Sequence, residues 1–295
     1  MLFTRCTVCY QLTRQINSNQ ESLEVKLAAV KTYRDHLHSQ YVDRSIAWSL
    51  SELSRDHQSQ TLFLLMDGMD QGKFRLPRDP GLKSIAALNK HIRPSLTLHG
   101  VWAVGWTLEL FVMDENMRHD SSCVCETVAR TLERVMQLAR AKGRPAPTSV
   151  LALSDNTVRE SKNQYFLSYI LNLTASGKMK LAGLLNLRKS HSHDQIDQLW
   201  GILARRIAAT DQLKSPSSVI ETLQRELQRP GLRAWVGQDT EVHVQKLDAV
   251  RAWRGHFTAA QQVSLSGGLL EDASGNHCFL TLMRRGLWLK TSFRT

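Results

Sequence analysis

Three acids stand where chemistry would need them. Asp67 follows the apolar run TLFLLM, Asp155 follows SVLALS, and Asp197, with Asp194 just ahead of it, opens the segment DQIDQLWGILARR. Carboxylates are hard oxygen donors suited to Mg²⁺ or Mn²⁺. Two such ions roughly 3.5–4 Å apart stabilise the attacking and leaving oxygens of a phosphodiester displacement together. Asp70 is the reserve for Asp67, and Asp194 the reserve for Asp197. Cations crowd the same stretches: Lys73, Arg75 and Arg78 after the first acid, Arg159 and Lys162 after the second, Arg188 and Lys189 before the third. A phosphate backbone approaching a carboxylate cluster needs cations of this kind. Asn156 and Asn163 can orient a phosphate or a water.

Each of these residues also has a plainer reading. An aspartate after a strand is commonly a turn residue or a helix cap, and Asp194 in particular suits a cap. Charged loops are usually just solvated. His191 and His193, in a Ser-His-Ser-His stretch, suit phosphate contact, metal ligation or acid–base work equally with a solvated loop. What favours the metal reading is three acids at three separate places.

A second constellation lies at the start. Cys6 and Cys9 form a Cys-x-x-Cys, half of a zinc site, with no second such pair in the chain. His36 and His38 complete it only if the intervening helix folds back. The expectation is therefore a reduced pair and an incomplete Zn²⁺ site. Cys123 and Cys125, at a helix start, read as packing residues. Five cysteines in 295 residues suggest thiols rather than a disulfide framework.

The elements that must position the acids follow from periodicity. Residues 20–57 have apolar positions at helical spacing with no glycine or proline. TLFLLM at 61–66 is a continuous apolar run, as in a strand covered on both faces. Strands near 97–105 and 108–113 come next, then a helix from about 123 that stops at Gly143. A fourth strand, 149–154, a helix over about 161–175, a fifth strand in MKLAGLLNL and a further helix complete the middle. The tail reads as a helix, a short helix around 245–257 and a strand pair near 277–289.

Three consecutive strands with short turns imply an antiparallel meander, and later strands joined through helices imply parallel crossovers. That is an α/β architecture in the RNase H-like order, a mixed sheet flanked by helices. In that order, acids on the first and fourth strands meet a third from a later helix. The expected division is an N-terminal helical segment (1–58), an RNase H-like core (59–210) and a small α+β C-terminal extension (211–295). Trp102, Trp106 and Trp200 read as core.

The formal net charge of +11 and a sequence pI near 9.7 fit phosphate-bearing partners. The longest greasy stretch, 101–113, is short of the ~20 residues a bilayer span needs. No signal peptide is legible. The expectation is an intracellular, nuclear protein acting on DNA, with RNA as the other substrate, no membrane partner, and a homo-oligomeric state.

The segments MDGMDQGKFRLPR, SDNTVRESKNQ and SHSHDQIDQLWGILARR resemble, in order, three blocks of a eukaryotic multi-copy transposase-like family. That family is catalogued mainly as a domain of unknown function. Its blocks run Asp-Gly-Met-Asp-Gln, then Asp-Asn-Thr closing on Lys-Asn, then Gly-His-Thr-His-Glu-Asp-Ile-Asp. The resemblance spans roughly residues 1–285, including FTRCTVCYQL and YRDHLHSQYVDR. It implies Asp67, Asp155 and Asp197 as the acidic set and pairs His191 and His193 with the family's two histidines. Ser190, Ser192, Asp194 and Gln195 depart from its glycine, threonine, glutamate and aspartate.

The function expected is divalent-metal-dependent cleavage or strand transfer on DNA. The alternative is a catalytically inactive, transposase-derived module that binds nucleic acid or protein, which the altered third block favours. A nuclease without strand transfer reads identically in sequence.

Overall fold

The run from Leu23 to Arg55 holds neither glycine nor proline, and in the computed structural model it forms one long helix. Residues 6–69, 76, 94–117, 119–154, 161, 163–186, 194–210 and 213–253 are described, with the backbone of strands 279–284 and 287–292. A first helix, α1 (Thr7–Asn17), precedes the long one, α2 (Leu23–Arg55), whose N-terminus is capped by Ser22. The buried positions of α2 are small or polar: Ala29, Ser39, Asp43, Ala47, Ser51 and Ser54. Ser54 fastens its end to the sheet, donating to the Val104 carbonyl at 2.7 Å and accepting from the Phe63 amide at 3.0 Å.

The strands and helices then alternate. β1 (Thr61–Met69), β2 (Thr97–Ala103) and β3 (Thr107–Met113) are followed by α3 (Ser121–Ala141) and β4 (Ser149–Ser154). Next come α4 (Gln164–Ala175), β5 (Leu181–Asn186) and α5 (Gln195–Ala209). The rest is α6 (Pro216–Leu227), α7 (Pro230–Val236), β6 (Glu241–Lys246), β7 (Phe279–Arg284) and β8 (Leu287–Ser292). One sheet contains every strand of the described residues, in the order β6-β3-β2-β1-β4-β5-β7-β8. β1, β2 and β3 pair antiparallel, whereas β4 lies parallel to β1 and β5 parallel to β4. The expected mixed α/β sheet in RNase H-like order is what forms.

Both faces are covered, so the central strands are apolar on both sides. Leu62, Leu64 and Met66 of β1 pack with residues of α3 and α4. Phe63, Leu65 and Met69 pack on the other face with α2, α5 and α6. Trp102, Trp106 and Trp200 are core residues, as read from sequence, and Cys123 and Cys125 are buried in packing. The β2–β3 turn requires Gly105, whose φ of +79° is combined with the backbone of Ser54 and Arg55 pressed against its missing side chain.

Two expectations need correcting. The short helix around 245–257 is not there over 247–252; β6 precedes it instead, parallel to β3. Val242 and Val244 face the α5–α6 side, while the polar alternates are absorbed on the other. His243 meets Arg134, and the Gln245 amide donates to the buried Glu109 carboxylate at 3.0 Å. Those partners let a polar-looking stretch be a strand. Second, Asp67 does not end β1. Pairing with β4 stops at Met66↔Ser154, but pairing with β2 runs on through Gly68↔His99 and Met69↔Leu98.

A buried carboxylate ties the chain after β6 to α3. Glu126 accepts from the Arg130 Nε at 2.8 Å, the Arg251 Nε at 2.8 Å and the Trp253 Nε1 at 2.9 Å. Burial alone would raise its carboxyl, but these hydrogen bonds outweigh it and hold it at about 2. On β2, His99 is fully enclosed, with Nδ1 3.0 Å from the Thr127 hydroxyl and its ring beside His119. Burial, reinforced by His119, holds the His99 pKa well below its ordinary value.

Candidate active site

β1, β4 and β5 run parallel and finish at the same end of the sheet. Ligands of open α/β sheets bind outside the carboxyl ends of such strands. Polar residues appear at that end after apolar interiors. Asn186, the last residue of β5, donates from Nδ2 to the Ser154 Oγ at 3.0 Å and to its carbonyl at 3.3 Å. Both are buried, and sequence reasoning missed them. The available signal was an apolar run closing on a serine or an asparagine.

Asp67 is the first residue of β1 beyond the β4 pairing, half-buried, and its partner on β2 is Gly100. Strand alternation puts it on the face of Phe63, Leu65 and Met69, which is the face α5 covers. α5 approaches so closely that a methyl group on Gly100 would meet Trp200 Cζ2 at 2.8 Å and Ile196 Cδ1 at 3.0 Å. The first turn of α5 therefore lies over the Asp67–Gly100 pair, and Asp197 belongs to that turn.

The start of α5 is fixed by a reciprocal cap. Asp194 Oδ1 accepts from the Ile196 amide at 2.9 Å and the Asp197 amide at 3.4 Å, and Asp197 Oδ2 accepts from the Asp194 amide at 3.0 Å. Asp194 is thus a cap, the plainer of its two readings. A carboxylate has about four lone-pair sites, so capping leaves capacity for a metal. Carboxylates are the donors that Mg²⁺ or Mn²⁺ takes, but among the described residues Asp67, Asp194 and Asp197 do not form a cluster whose three ligand atoms lie within 4.8 Å of one another.

Asp155 follows Ser154 directly in the sequence and lies outside the described residues. So do Asp70, Lys73, Arg75, Arg78, Asn156, Arg159, Lys162, Lys189, His191 and His193. Asn163 is described, and it caps α4, its Oδ1 accepting from the Tyr165 amide at 3.0 Å and the Phe166 amide at 3.1 Å.

Beside Asp194, between α2 and α5, opens a cleft of about 120 Å³. Arg44 and Trp48 of α2, Leu65 and Leu153 of the sheet, and Asp194, Gln195 and Gln198 of α5 are among its lining residues. Gln195 Oε1 is buried with no hydrogen-bond partner among the described residues. Arg44 is an exposed cation next to the acidic helix start that the sequence reading did not select.

At the other end of the chain, α1 and α2 form a helical hairpin that carries His36 back to the cysteines. The ligand atoms of Cys6, Cys9 and His36 lie within 4.8 Å of one another, with Cys6 Sγ 3.5 Å from His36 Nε2. The fold-back that the sequence set as a condition is met for His36. Burial and the neighbouring Cys6 raise the Cys9 thiol pKa.

Sheet order and helical cover define a mixed α/β protein whose central strands follow the RNase H-like order. The family model described as Domain of unknown function (DUF7869) matches residues 82–265, and the chain belongs to that family. No curated protein and no solved structure matches it. No helix among the described residues is long and apolar enough to cross a membrane.

Proposed function

We propose that the protein processes nucleic acid, DNA foremost, by divalent-metal-dependent phosphodiester cleavage or strand transfer of the transposase type. The supporting observation is that Asp67 and Asp197 share one face of the sheet at the end where β4 and β5 finish. Asp155, next after β4 in the sequence, supplies the third carboxylate in this reading. Mg²⁺ or Mn²⁺ held by these three acids supplies charge stabilisation for phosphodiester displacement. Lys73, Arg75, Arg78, Arg159, Lys162 and Lys189 hold the phosphate backbone in register, and Asn156, His191 and His193 contact the reacting phosphate. A net charge of +11 draws such a polymer in. A nuclear location suits that substrate.

A second reading has its own observation. The Asp194–Asp197 capping box occupies both acids of the helix start in a structural task. A catalytically inactive descendant that binds nucleic acid through its basic loops would look the same. The two are separated by incubating the purified chain with DNA and Mg²⁺ or Mn²⁺. Metal-dependent cleavage that disappears in Asp155→Asn supports the enzyme. Salt-sensitive binding with no cleavage under any metal supports the binding module and sinks the enzyme.

A further inference from the structure

We propose that Cys6, Cys9 and His36 form a zinc site that staples α1 to α2, with solvent in the fourth position. The Cys6–His36 separation is that of two ligands on a tetrahedral ion. Zn–S bonds of about 2.3 Å and a Zn–N bond of about 2.0–2.1 Å, set at the tetrahedral angle, hold sulfur and nitrogen about 3.6 Å apart and two sulfurs about 3.8 Å apart. Cys6 Sγ and His36 Nε2 are 3.5 Å apart, and all three ligand atoms fall within a 4.8 Å limit of each other. Cys6 and Cys9 frame the first turn of α1, and His36 stands mid-way along α2, so the ion bridges two elements.

The hairpin shows why a staple is needed. None of the 11 residues of α1 is buried, and Tyr10 is 53% exposed. The facing helix leaves Leu37 and Tyr41 exposed as well. Two helices that bury so little apolar surface hold each other weakly, and small units of this kind depend on a metal or a disulfide. Gln40, one turn beyond His36, directs its Nε2 at Cys9 Sγ from 4.0 Å. That amide is placed to support a metal-bound thiolate from outside the ligand set. Zinc is held by thiolates, so binding releases thiol protons and affinity falls as the pH falls. The site lies in the N-terminal hairpin and does not depend on the DNA-processing reading.

The test is metal stoichiometry on the full chain, purified under reducing conditions and titrated with Zn²⁺, then with Co²⁺ as a coloured substitute. One Zn²⁺ per chain is expected, with visible Co²⁺ bands of a tetrahedral thiolate site. Cys9→Ser and His36→Asn should lose both, and His38→Asn, on the exposed face of the same helix, should keep both. Because Cys9→Ser could loosen the hairpin, His36→Asn is the deciding variant, with helicity checked by circular dichroism. Substoichiometric zinc in the wild type, undiminished zinc in His36→Asn, or loss of zinc in His38→Asn would each overturn the assignment. So would a Cys6–Cys9 disulfide that survives reduced glutathione.

Discussion

Asp67 and Gly100 are partners across β1 and β2, and the space a side chain at Gly100 would fill is occupied by Trp200. The glycine is what allows α5 to sit directly on the sheet next to the strand acid. Had residue 100 carried a side chain, the helix start bearing Asp194 and Asp197 would have been lifted away from Asp67.

Gly100→Ala is therefore expected to destabilise the protein by about 1–3 kcal/mol through overpacking against Trp200 and Ile196. The cost should shrink in Gly100→Ala combined with Trp200→Leu, because the aromatic edge at 2.8 Å is the first obstacle. Urea unfolding of the four variants in a double-mutant cycle reads this coupling. Additive effects would mean that α5 shifts freely and does not fix the geometry at Asp67.

Glu126 is the fastening of residues 249–253 to α3. Its side chain is 3% exposed, and its partners Arg130 and Arg251 are 32% and 46% exposed. Glu126→Gln removes the charge while leaving the shape, and a loss of about 2–3 kcal/mol is expected, below the full value for a buried pair because both arginines reach solvent. Hydrogen exchange should rise at Arg251 and Trp253 before it rises in the strands. Uniform protection across that segment in the variant would refute the fastening.

The sequence made the frame legible because its signals were local. Apolar runs gave β1, β4 and β5, and Gly143 marked the exit of α3. What was illegible depended on distant partners. Gly100 reads as an ordinary strand glycine until Trp200, a hundred residues on, is packed above it. β6 looked polar because its outward residues answer to Glu109 and Arg134. The fold-back of α1 on α2, which brings His36 to Cys6, was a condition the sequence could name and not decide.

Acid should weaken the fold in two windows. His99 has a folded pKa well below its ordinary value, so the unfolded chain binds the proton more tightly. Its stabilising contribution is complete above about pH 6.5 and is lost as the pH falls below that, at up to about 1.4 kcal/mol per pH unit. Glu126 titrates at about 2 in the folded protein, so its contribution persists above its ordinary 4.5 and drains away between there and 2. His99→Asn should flatten the upper window and leave the lower one. Melting temperatures measured from pH 7.5 to 2 test it, and an unchanged upper slope in the variant would exclude His99 as the source.

The acid at the start of α5 does two jobs in the proposed reading, and substitution can separate them. Asp197→Asn removes a charge and weakens the reciprocal cap, which should cost about 0.5–1 kcal/mol of stability. If both Asp67 and Asp197 hold the divalent ion, Asp67→Asn and Asp197→Asn should each lose metal-dependent cleavage by several orders of magnitude, and Asp197→Asn should also lower the melting temperature through the lost cap. Raising Mn²⁺ should rescue part of the lost activity in each, since weakened ligation is overcome by mass action. Asp194→Asn gives the contrast: asparagine caps a helix about as well as aspartate, so stability and cleavage should both persist. Cleavage lost in Asp194→Asn but kept in Asp197→Asn would move the ligand to the cap position. Cleavage kept in Asp67→Asn would remove the strand acid from the site altogether.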